Sequence, residues 1–413
     1  MGNLDCSRHD AQKNINENNN KIKVSDFTKI NRIGRGSLGP IWKVIIKSES
    51  DLKQPNNISQ KNNSNFLAMK EFSKAKAYLK KNQEGILRYR KIMEICDYNL
   101  LCKVYYAFQD TDTLYIIMDY FPGGDLRYLL NKRDFFTEQE TKFTSACILL
   151  SINYLHEKNV IYRNLKPEKL LFDSKGYLHL IGSSVSFECK KGETITNLSG
   201  TGAYMAPEAI INKPHDFSVD YYALGVILYE LTFGERPYKG TNRKEIKEQM
   251  FSREINLIDD DIPEGWDTNV ADLINRLMQR KKKKRLGNNG IDEIKSHPWF
   301  KDVQWEKTEN FTFNSPFVID SEDNFDKSFV EKQDDDSIYE GKKQIYINAI
   351  NEFMNYFIYN NYLTNKIIII KFPEIFFYST FLNHPLNFQK LIIIIFIILN
   401  TFIFIIIEEI FID

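Results

Sequence analysis

The apolar pattern of this chain changes once, from short strands to long helices, and this change restricts the folds open to it. Before the Pro-Gly-Gly turn at 122–124, β-branched and aromatic runs predict strands at 27–30, 41–46, 66–72 and 114–120. A helix is predicted among them over 74–95, where Ile86, Tyr89, Ile92 and Met93 share one face. After the turn, helical spacing predicts helices at 137–157, 219–233, 243–251 and 268–280. We therefore expect an α+β chain of two lobes, a small β-rich one and a larger helical one.

The charge balance and the cysteines exclude several classes of protein. The 413 residues include 55 basic and 55 acidic side chains, so no strong field favours a nucleic-acid partner. The basic run at 281–285 is more typical of a solvated helix face than of a binding site. The five cysteines form no C-x-x-C pair, which argues against a disulfide framework or a zinc site. Because the polar N-terminus does not look like a secretory signal, we expect a cytoplasmic protein.

Three segments differ in composition from the rest of the chain. Residues 1–26 and 48–65 are rich in Asn and Lys, so we expect a disordered N-terminus and a low-complexity insert between strands. Residues 346–413 are dominated by Ile, Phe and Asn and contain an apolar run at 391–407. That run is near the shortest length that can cross a bilayer. It is either a C-terminal tail anchor or an artefact of the gene model, read past the true stop.

The first residues of the chain approach the N-myristoylation pattern M-G-x-x-x-[ST]. Gly2 would be the acylated residue, and Cys6, at the Ser/Thr position, could itself be palmitoylated. One acyl chain holds a protein on a membrane weakly, whereas two hold it stably. Gly2 and Cys6 therefore predict membrane association, and the alternative is a chance Gly after Met beside a free cysteine.

A glycine pattern between the first two strands predicts a phosphate-binding loop. Residues 34–39 fit G-x-G-x-φ-G, with Gly34, Gly36 and Gly39 at the glycine positions. Glycines let the backbone approach a phosphate and donate N–H groups to it. The pattern alone is a weak signal, but it gains weight from the flanking strands and from Lys70 on the next strand. We predict that this loop and Lys70 bind phosphates.

Several motifs, in the right order, resemble the AGC group of serine/threonine protein kinases, and within it the YANK subgroup. Besides the glycine loop and Lys70, they are FPGGDLRY at 121–128, YRNLKPEK at 162–169, GTGAYMAPE at 200–208, SVDYYALG at 218–225, RLG at 285–287 and HPWF at 297–300. Residues 301–345 resemble the C-terminal extension of that group, through 316–318 and 324–326. The resemblance implies a two-lobed protein kinase fold over 27–300.

The same resemblance implies the residues of a nucleotide site. They are Ile33, Gly34, Gly36, Gly39, Ile41, Ala68, Lys70, Met118, Asp119, Phe121, Asp125, Glu168 and Leu171. Asp125 and Glu168 match positions at which AGC kinases meet ribose or basic substrates. Either acid could instead be a solvated surface group.

Three chemical positions of the family are replaced in this chain. Asn164 stands where the family has its catalytic Asp, and an amide cannot accept a proton as a base. Lys169 and Gly182 stand where the family has its two metal-binding side chains, so we expect no Mg²⁺ site. Lys166, two residues after Asn164 in the same loop, is retained from the family motif. A kinase without a base and without metal ligands is not expected to transfer phosphate.

Two further replacements affect the space between the lobes. Tyr89 falls where the family has the Glu that pairs with Lys70, while Glu84 and Glu94 lie on other faces of the same helix. Ser183 replaces the Phe of the D-F-G motif, which removes an apolar side chain from between the lobes. We therefore expect Lys70 to lack its usual partner.

Residues that support the architecture are retained. Glu208 and Arg285 match a buried ion pair of the family, and Asp220 matches the residue that anchors the catalytic loop. Arg163 matches the arginine that binds a phosphothreonine. Asn197, however, stands at the phosphothreonine position.

These features together predict a membrane-associated pseudokinase that acts as a scaffold or an allosteric partner, with a protein partner that the sequence does not identify. Lys70 and Lys169 could neutralise the phosphates of ATP in place of a metal, so ATP binding without Mg²⁺ belongs to this hypothesis. One alternative is a divergent active serine/threonine kinase with an unusual metal scheme. Another is a degenerating gene copy.

Overall fold

An antiparallel sheet forms the first lobe. The computed structural model describes residues 22–47, 66–133, 135–319 and 324, and the backbone of 359–360. The sheet contains β1 (Phe27–Arg35), β2 (Pro40–Ile46), β3 (Leu67–Ser73), β4 (Val104–Gln109) and β5 (Thr113–Asp119), in the order β1-β2-β3-β5-β4. The four predicted strands are confirmed. The apolar run that forms β4 was not predicted as a strand.

The predicted helix over 74–95 is wrong in one respect, because it is two helices, α1 (Lys74–Leu79) and α2 (Gln83–Ile95). Ser73 caps α1 by accepting a hydrogen bond from the N–H of Lys76 at 3.3 Å. Lys81 has a φ of 50°, a left-handed conformation that ends the helical path between the two. The four residues predicted to share a face of α2 are all buried.

The second lobe is mostly helical, as predicted. Its helices are α3 (Leu126–Lys132), α4 (Glu138–Glu157), α5 (Pro207–Ile210), α6 (Ser218–Phe233), α7 (Arg243–Ser252), α8 (Asn269–Leu277), α9 (Asp292–Lys295) and α10 (Trp305–Glu309). Two small antiparallel pairs join them: β6 (Val160–Ile161) with β9 (Phe187–Glu188), and β7 (Leu170–Phe172) with β8 (Leu178–Leu180). The loops between these short strands carry the candidate site.

Helices α4 and α6 form the centre of the second lobe. At the start of α4, Thr137 and Glu140 form a capping box, in which each side chain binds the backbone N–H of the other. Helix α6 is buried on nearly all sides, as expected for a helix whose apolar residues do not keep to one face. It ends at Gly234, whose φ of 73° suits glycine at the end of a helix.

The ion pair predicted between Glu208 and Arg285 is present. The two guanidinium nitrogens of Arg285 donate to the two carboxylate oxygens of Glu208 at 2.7 and 3.0 Å. The same guanidinium donates to the carbonyls of Ser218 and Gln279, both at 3.1 Å. Arg285 is 1% exposed, so this pair joins α5 and α6 to the loop after α8 from inside the protein. The prediction that the basic run at 281–285 is a solvated helix face is therefore wrong for Arg285.

The C-terminal extension packs on the second lobe as far as it is described. Phe317 is buried against the rings of Phe136, Phe143 and Phe172. Farther on, the N–H of Asn324 donates to the carbonyl of Pro122 at 3.0 Å, between the lobes. Within the Ile/Phe-rich tail, a short strand, β10 (Tyr359–Asn360), pairs with β4.

Several sequence predictions fall on residues outside the described part of the chain. These are the acylation sites Gly2 and Cys6, the insert at 48–65, and the apolar run at 391–407. Among the helices of the described residues, none combines the length and apolar character that crossing a membrane requires.

Replacing Arg285 by Met should destabilise the protein strongly. The change leaves the carboxylate of Glu208, whose side chain is 11% exposed, without its partner. Removing one partner of a buried ion pair typically costs about 3–5 kcal/mol in the free energy of unfolding. Urea unfolding followed by circular dichroism measures this.

The exposed pair of Lys239 and Glu235 provides the control, since its side chains are 63% and 54% exposed. Lys239→Met should cost less than about 1 kcal/mol. Equal effects of the two substitutions would contradict the structural role given to Arg285.

Candidate functional site

The apolar residues predicted to line a nucleotide site gather in one cluster between the lobes. Ala68, Met118 and Phe121 are buried in it, and Ile33, Ile41 and Leu171 pack against it. They come from β1, β2, β3, β5, the segment after β5, and β7. The structure therefore brings these predicted residues together.

Asp119 lies beside this cluster, but its carboxylate faces elsewhere. One oxygen accepts a hydrogen bond from the hydroxyl of Tyr105 at 2.6 Å, and the other accepts from the N–H of Lys103 at 2.8 Å. The Asp119 carboxylate therefore supports the segment between the lobes, and the N–H of Asp119 is also engaged, since it donates to the carbonyl of Lys103 at 3.0 Å.

The glycine loop lies directly on Lys70. The N–H of Gly36 donates to the carbonyl of Gly39 at 2.8 Å, which closes the turn. A Cβ placed on Gly36 would lie 3.7 Å from Cε of Lys70. At Gly39, a Cβ would approach the carbonyl oxygen of Glu71 to 2.6 Å, so only glycine fits. Leu38, at the tip, is 2% exposed and belongs to the apolar cluster.

Lys70 is surrounded by aromatic rings rather than by a carboxylate. Its ammonium lies 4.9 Å from the ring centres of both Phe72 and Tyr89. Within the described residues it forms no ion pair, and the neighbouring Glu71 pairs with Lys29 at 2.6 Å. Burial lowers the pKa of Lys70 to about 8. The expectation that Tyr89 replaces the partner of Lys70 agrees with this geometry.

Tyr89 also occupies the space next to Gly182. A Cβ at Gly182 would lie 2.4 Å from Cε2 of Tyr89 and 2.6 Å from the sulfur of Met93. Both distances are far below a normal van der Waals contact, so any side chain at position 182 would have to displace the side chains of Tyr89 and Met93. The Tyr89 hydroxyl makes a weak contact of 3.9 Å with the sulfur of Met118. Tyr89 and Gly182 are therefore sterically matched.

The place of the missing Phe at Ser183 is also nearly filled. Ser183 is 5% exposed and borders a cavity of about 10 Å³ that Tyr89, Met93 and Leu155 help to line. Such a volume holds about one water molecule. The aromatic ring of Tyr89 and the side chain of Met93 thus take up much of the volume between α2 and the segment after β8.

The loop between β6 and β7 has the support predicted from Asp220. Its carboxylate, 1% exposed, accepts hydrogen bonds from the N–H groups of Tyr162 and Arg163 at 2.9 and 2.8 Å. Arg163 has a φ of 66°, a strained conformation that these bonds help to hold. The Tyr162 hydroxyl donates to the carbonyl of Ile181 at 2.6 Å and so ties this loop to the segment after β8.

Asn164 follows in this loop, and its amide oxygen accepts a hydrogen bond from the Thr201 hydroxyl at 3.0 Å. This hydrogen bond gives the amide oxygen of Asn164 a partner, but it does not make the amide a base. The replaced catalytic position is therefore used for a structural hydrogen bond.

Lys169 lies at the end of the short 3₁₀ turn Pro167–Lys169, half-buried in the same loop. Its N–H donates to the carbonyl of Lys166 at 2.9 Å, and its carbonyl accepts from the N–H of Ile181 at 3.0 Å. Burial, followed by the charges of Lys70 and Lys166, lowers the pKa of Lys169 to about 7. The site thus contains a cluster of lysines where the family would have metal ligands.

Arg163 also holds the segment in which the family carries its phosphothreonine. Its guanidinium donates to the carbonyl of Asn197 at 2.6 Å and to the carbonyl of Val185 at 3.2 Å. Ser199 donates to the side-chain oxygen of Asn197 at 2.5 Å. Neutral backbone groups therefore contact the arginine at the position predicted for a phosphate.

Asp125 and Glu168 are not free surface acids. Asp125 caps α3 by accepting from the N–H of Tyr128 at 2.8 Å, and burial raises the pKa of its carboxyl group. Glu168 pairs with Arg127 at 3.3 Å.

Arg127, to which the sequence predicts no role, also donates to both carboxylate oxygens of Glu230, at 2.9 and 3.1 Å. The two carboxylates lie 41 and 103 positions away in the chain, so no sequence signal pointed to this network.

Replacing Gly182 by Ala should destabilise the protein, because the new Cβ would overlap Tyr89 and Met93. Overpacking of this kind typically costs about 1–3 kcal/mol. In a Tyr89→Leu background, which lacks Cε2, the same change should cost less. A double-mutant cycle of urea unfolding free energies measures the difference.

Gly202→Ala is the matched control for that cycle. A Cβ there would lie 3.5 Å from Cγ of Arg243, an ordinary contact. A Gly182→Ala cost that is the same in both backgrounds would show that Tyr89 does not set it.

Comparison with known proteins agrees with the motifs and the fold. The profile described as the protein kinase domain matches residues 27–300. A probable serine/threonine-protein kinase of Dictyostelium discoideum is 31% identical over 77% of this chain and 67% of its own length.

Two further relatives have similar coverage. Serine/threonine-protein kinase sgk-1 of Caenorhabditis elegans is 31% identical over 84% of this chain and 72% of its own length. The cAMP-dependent protein kinase type 3 of Saccharomyces cerevisiae is 32% identical over 70% and 67%. With a β-rich first lobe, a helical second lobe and the site between them, this chain belongs to the protein kinase domain family and is related to its serine/threonine kinases.

Proposed function

We propose that this protein is a pseudokinase, a member of the kinase family that acts in signalling as a scaffold or an allosteric partner rather than as a phosphotransferase. The observation that carries the proposal is the contact of Tyr89 and Met93 with the Cβ position of Gly182. A lost metal ligand alone could be a neutral accident. Here the space that the ligand would need is filled by a residue that itself replaces a functional group.

The electrostatics of the site support the loss of metal binding. A protonated Lys169 would repel a Mg²⁺ ion about 4 Å away by several kcal/mol at an effective dielectric constant near 20. With a pKa of about 7, Lys169 is also partly neutral near pH 7, but Mg²⁺ prefers oxygen ligands to an amine nitrogen. Neither protonation state offers the ion a good ligand.

The same lysines support a weak, metal-independent nucleotide site. The positive charge of Lys70 lowers the pKa of Lys169, so the two side chains repel each other when both are protonated. The apolar cluster around Ala68 could receive an adenine ring. A phosphate entering between the lysines would relieve their mutual repulsion and favour their protonated forms. It would also have to lift the glycine loop off Lys70, which should keep the affinity for ATP low.

Thermal unfolding of the full chain tests both parts of this proposal. We expect ATP to raise the melting temperature in EDTA, and Mg²⁺ to add nothing to that shift. Lys169→Ala should lose most of the ATP-dependent shift, because it removes a phosphate partner. Lys239→Ala, an exposed lysine far along the chain, is the control and should keep it.

The outcomes separate the pseudokinase from a divergent active enzyme. An ATP shift that requires Mg²⁺, or transfer of a γ-phosphate from ATP to a protein substrate, would contradict the proposal and favour an active serine/threonine kinase. The absence of any ATP shift would remove the nucleotide part and leave a scaffold. Asn164→Asp combined with Lys169→Asn should not restore transfer, since Gly182 still provides no ligand.

We also propose that acylation of Gly2, with or without Cys6, places the protein at a membrane. The proposal rests on the residue pattern, because both residues lie outside the described part of the chain. Cells fed an alkyne-tagged myristate should label the wild-type chain, while Gly2→Ala should abolish the label and shift the protein to the soluble fraction. Equal labelling of both chains would end this proposal.

A further inference from the structure

An arginine of this chain fills an acidic site on the second lobe, next to the loop between β6 and β7. Two guanidinium nitrogens of Arg127 donate to the two carboxylate oxygens of Glu230, at 2.9 and 3.1 Å. One of them also donates to the Tyr204 hydroxyl at 2.5 Å, and Nε donates to Glu168 at 3.3 Å. Each nitrogen of the guanidinium therefore has an acceptor from another element of the fold.

The acceptors come from three elements other than the helix that carries Arg127. Glu230 lies on α6 with its side chain only 4% exposed, while Tyr204 and Glu168 lie in two separate 3₁₀ turns. The Tyr204 hydroxyl donates to Glu230 at 2.6 Å, which fixes the directions of both groups. Arg127 reaches them from the first turn of α3. The acceptors thus form a site that Arg127 occupies as a ligand would.

This site contains more negative charge and more acceptor atoms than Arg127 neutralises. Two carboxylates, those of Glu168 and Glu230, contact a single guanidinium. Oε2 of Glu168 is closed off from solvent and has no hydrogen-bond partner among the described residues, so it favours an additional donor. The side chains of Arg127 and Glu168 are 24% and 39% exposed. The site therefore lies at the surface, within reach of another protein.

We propose that Arg127 is a built-in occupant of a guanidinium site and closes it to the arginine side chains of other proteins. Guanidinium and carboxylate groups fit each other in bidentate pairs, so these acceptors would suit an incoming arginine equally well. While Arg127 holds both oxygens of Glu230, a second arginine could bind only by displacing it. The contact is autoinhibitory, because it excludes basic peptides from the partners that bind at this surface. It acts in the same way whether or not the protein transfers phosphate.

The test measures how tightly the full chain binds a fluorescein-labelled peptide with two consecutive arginines. Fluorescence anisotropy is recorded in EDTA, without nucleotide and at low ionic strength, where charges are screened least. Arg127→Ala should bind the peptide at least about tenfold more tightly than the wild type, because one hydrogen bond to a charged group can contribute that much. The same peptide with citrulline in place of arginine keeps the shape but loses the charge, so it should show no such gain.

Further variants keep the test clear of folding effects and of unspecific charge effects. Arg127→Lys keeps a cation beside the buried carboxylate and should fold, but an ammonium group cannot form the bidentate pair. It should still bind the arginine peptide several-fold more tightly than the wild type. Arg127→Ala combined with Glu230→Gln should lose the gain. Arg133→Ala, which frees Glu140 from a 2.6 Å pair at the other end of α3, is the control and should bind like the wild type.

Three outcomes would overturn the proposal. The first is wild-type affinity in Arg127→Lys and Arg127→Ala, or in Arg127→Lys alone if Arg127→Ala does not fold. The second is an equal gain with the citrulline peptide or with Arg133→Ala, which would show that any freed charge suffices. The third is a gain that survives Glu230→Gln. Because the assay contains no nucleotide and measures no phosphate transfer, its failure would leave the proposed pseudokinase function untouched.

Discussion

The buried carboxylate of Asp220 is the interaction on which the rest of the site depends. It accepts hydrogen bonds from two consecutive backbone N–H groups and from Nε2 of His156 at 2.9 Å. An ionised group taken so far from water needs these donors, since losing even one would leave an expensive unpaired charge. By fixing the strained backbone at Arg163, it sets the directions of Asn164 and Lys169 in the same loop. The loop that contains Asn164 and Lys169 thus has the support that the family resemblance predicts for it.

The replacements at Tyr89, Gly182 and Ser183 are connected by the volumes of the side chains as well as by their chemistry. Tyr89 places a ring where the family has a carboxylate, and that ring contacts the position at which Gly182 has no side chain. The neighbouring Ser183 gives up an aromatic ring, and the space that remains is only about 10 Å³. Because the interior is packed this closely, one reversion alone would create either an overlap or a cavity. Such mutual fit is expected of a core that has been maintained in its new form, and it argues against random decay.

Much of this could be predicted from the sequence, and the reasons for the failures are physical. The strands and the main helices follow from the spacing of apolar residues. The Glu208–Arg285 pair and the role of Asp220 follow from motifs that the chain shares with the family it resembles. The role of Tyr89 follows from its spacing from Lys70, which matches the spacing of the family's Lys and Glu.

The spacing of apolar residues does not show that the predicted helix over 74–95 is broken at Lys81. A left-handed residue other than glycine gives little signal in the sequence. The direction of the Asp119 side chain and the network around Arg127 also escaped prediction. Both depend on partners that are distant in the chain or that lie on an unpredicted strand.

Arg163 bears on how such a protein can be controlled. In place of a phosphate, it holds the carbonyl of Asn197, a group that no phosphatase can remove and no upstream kinase can add. The structure therefore orders this segment through hydrogen bonds to neutral groups, a mode of ordering that does not depend on adding or removing a phosphate.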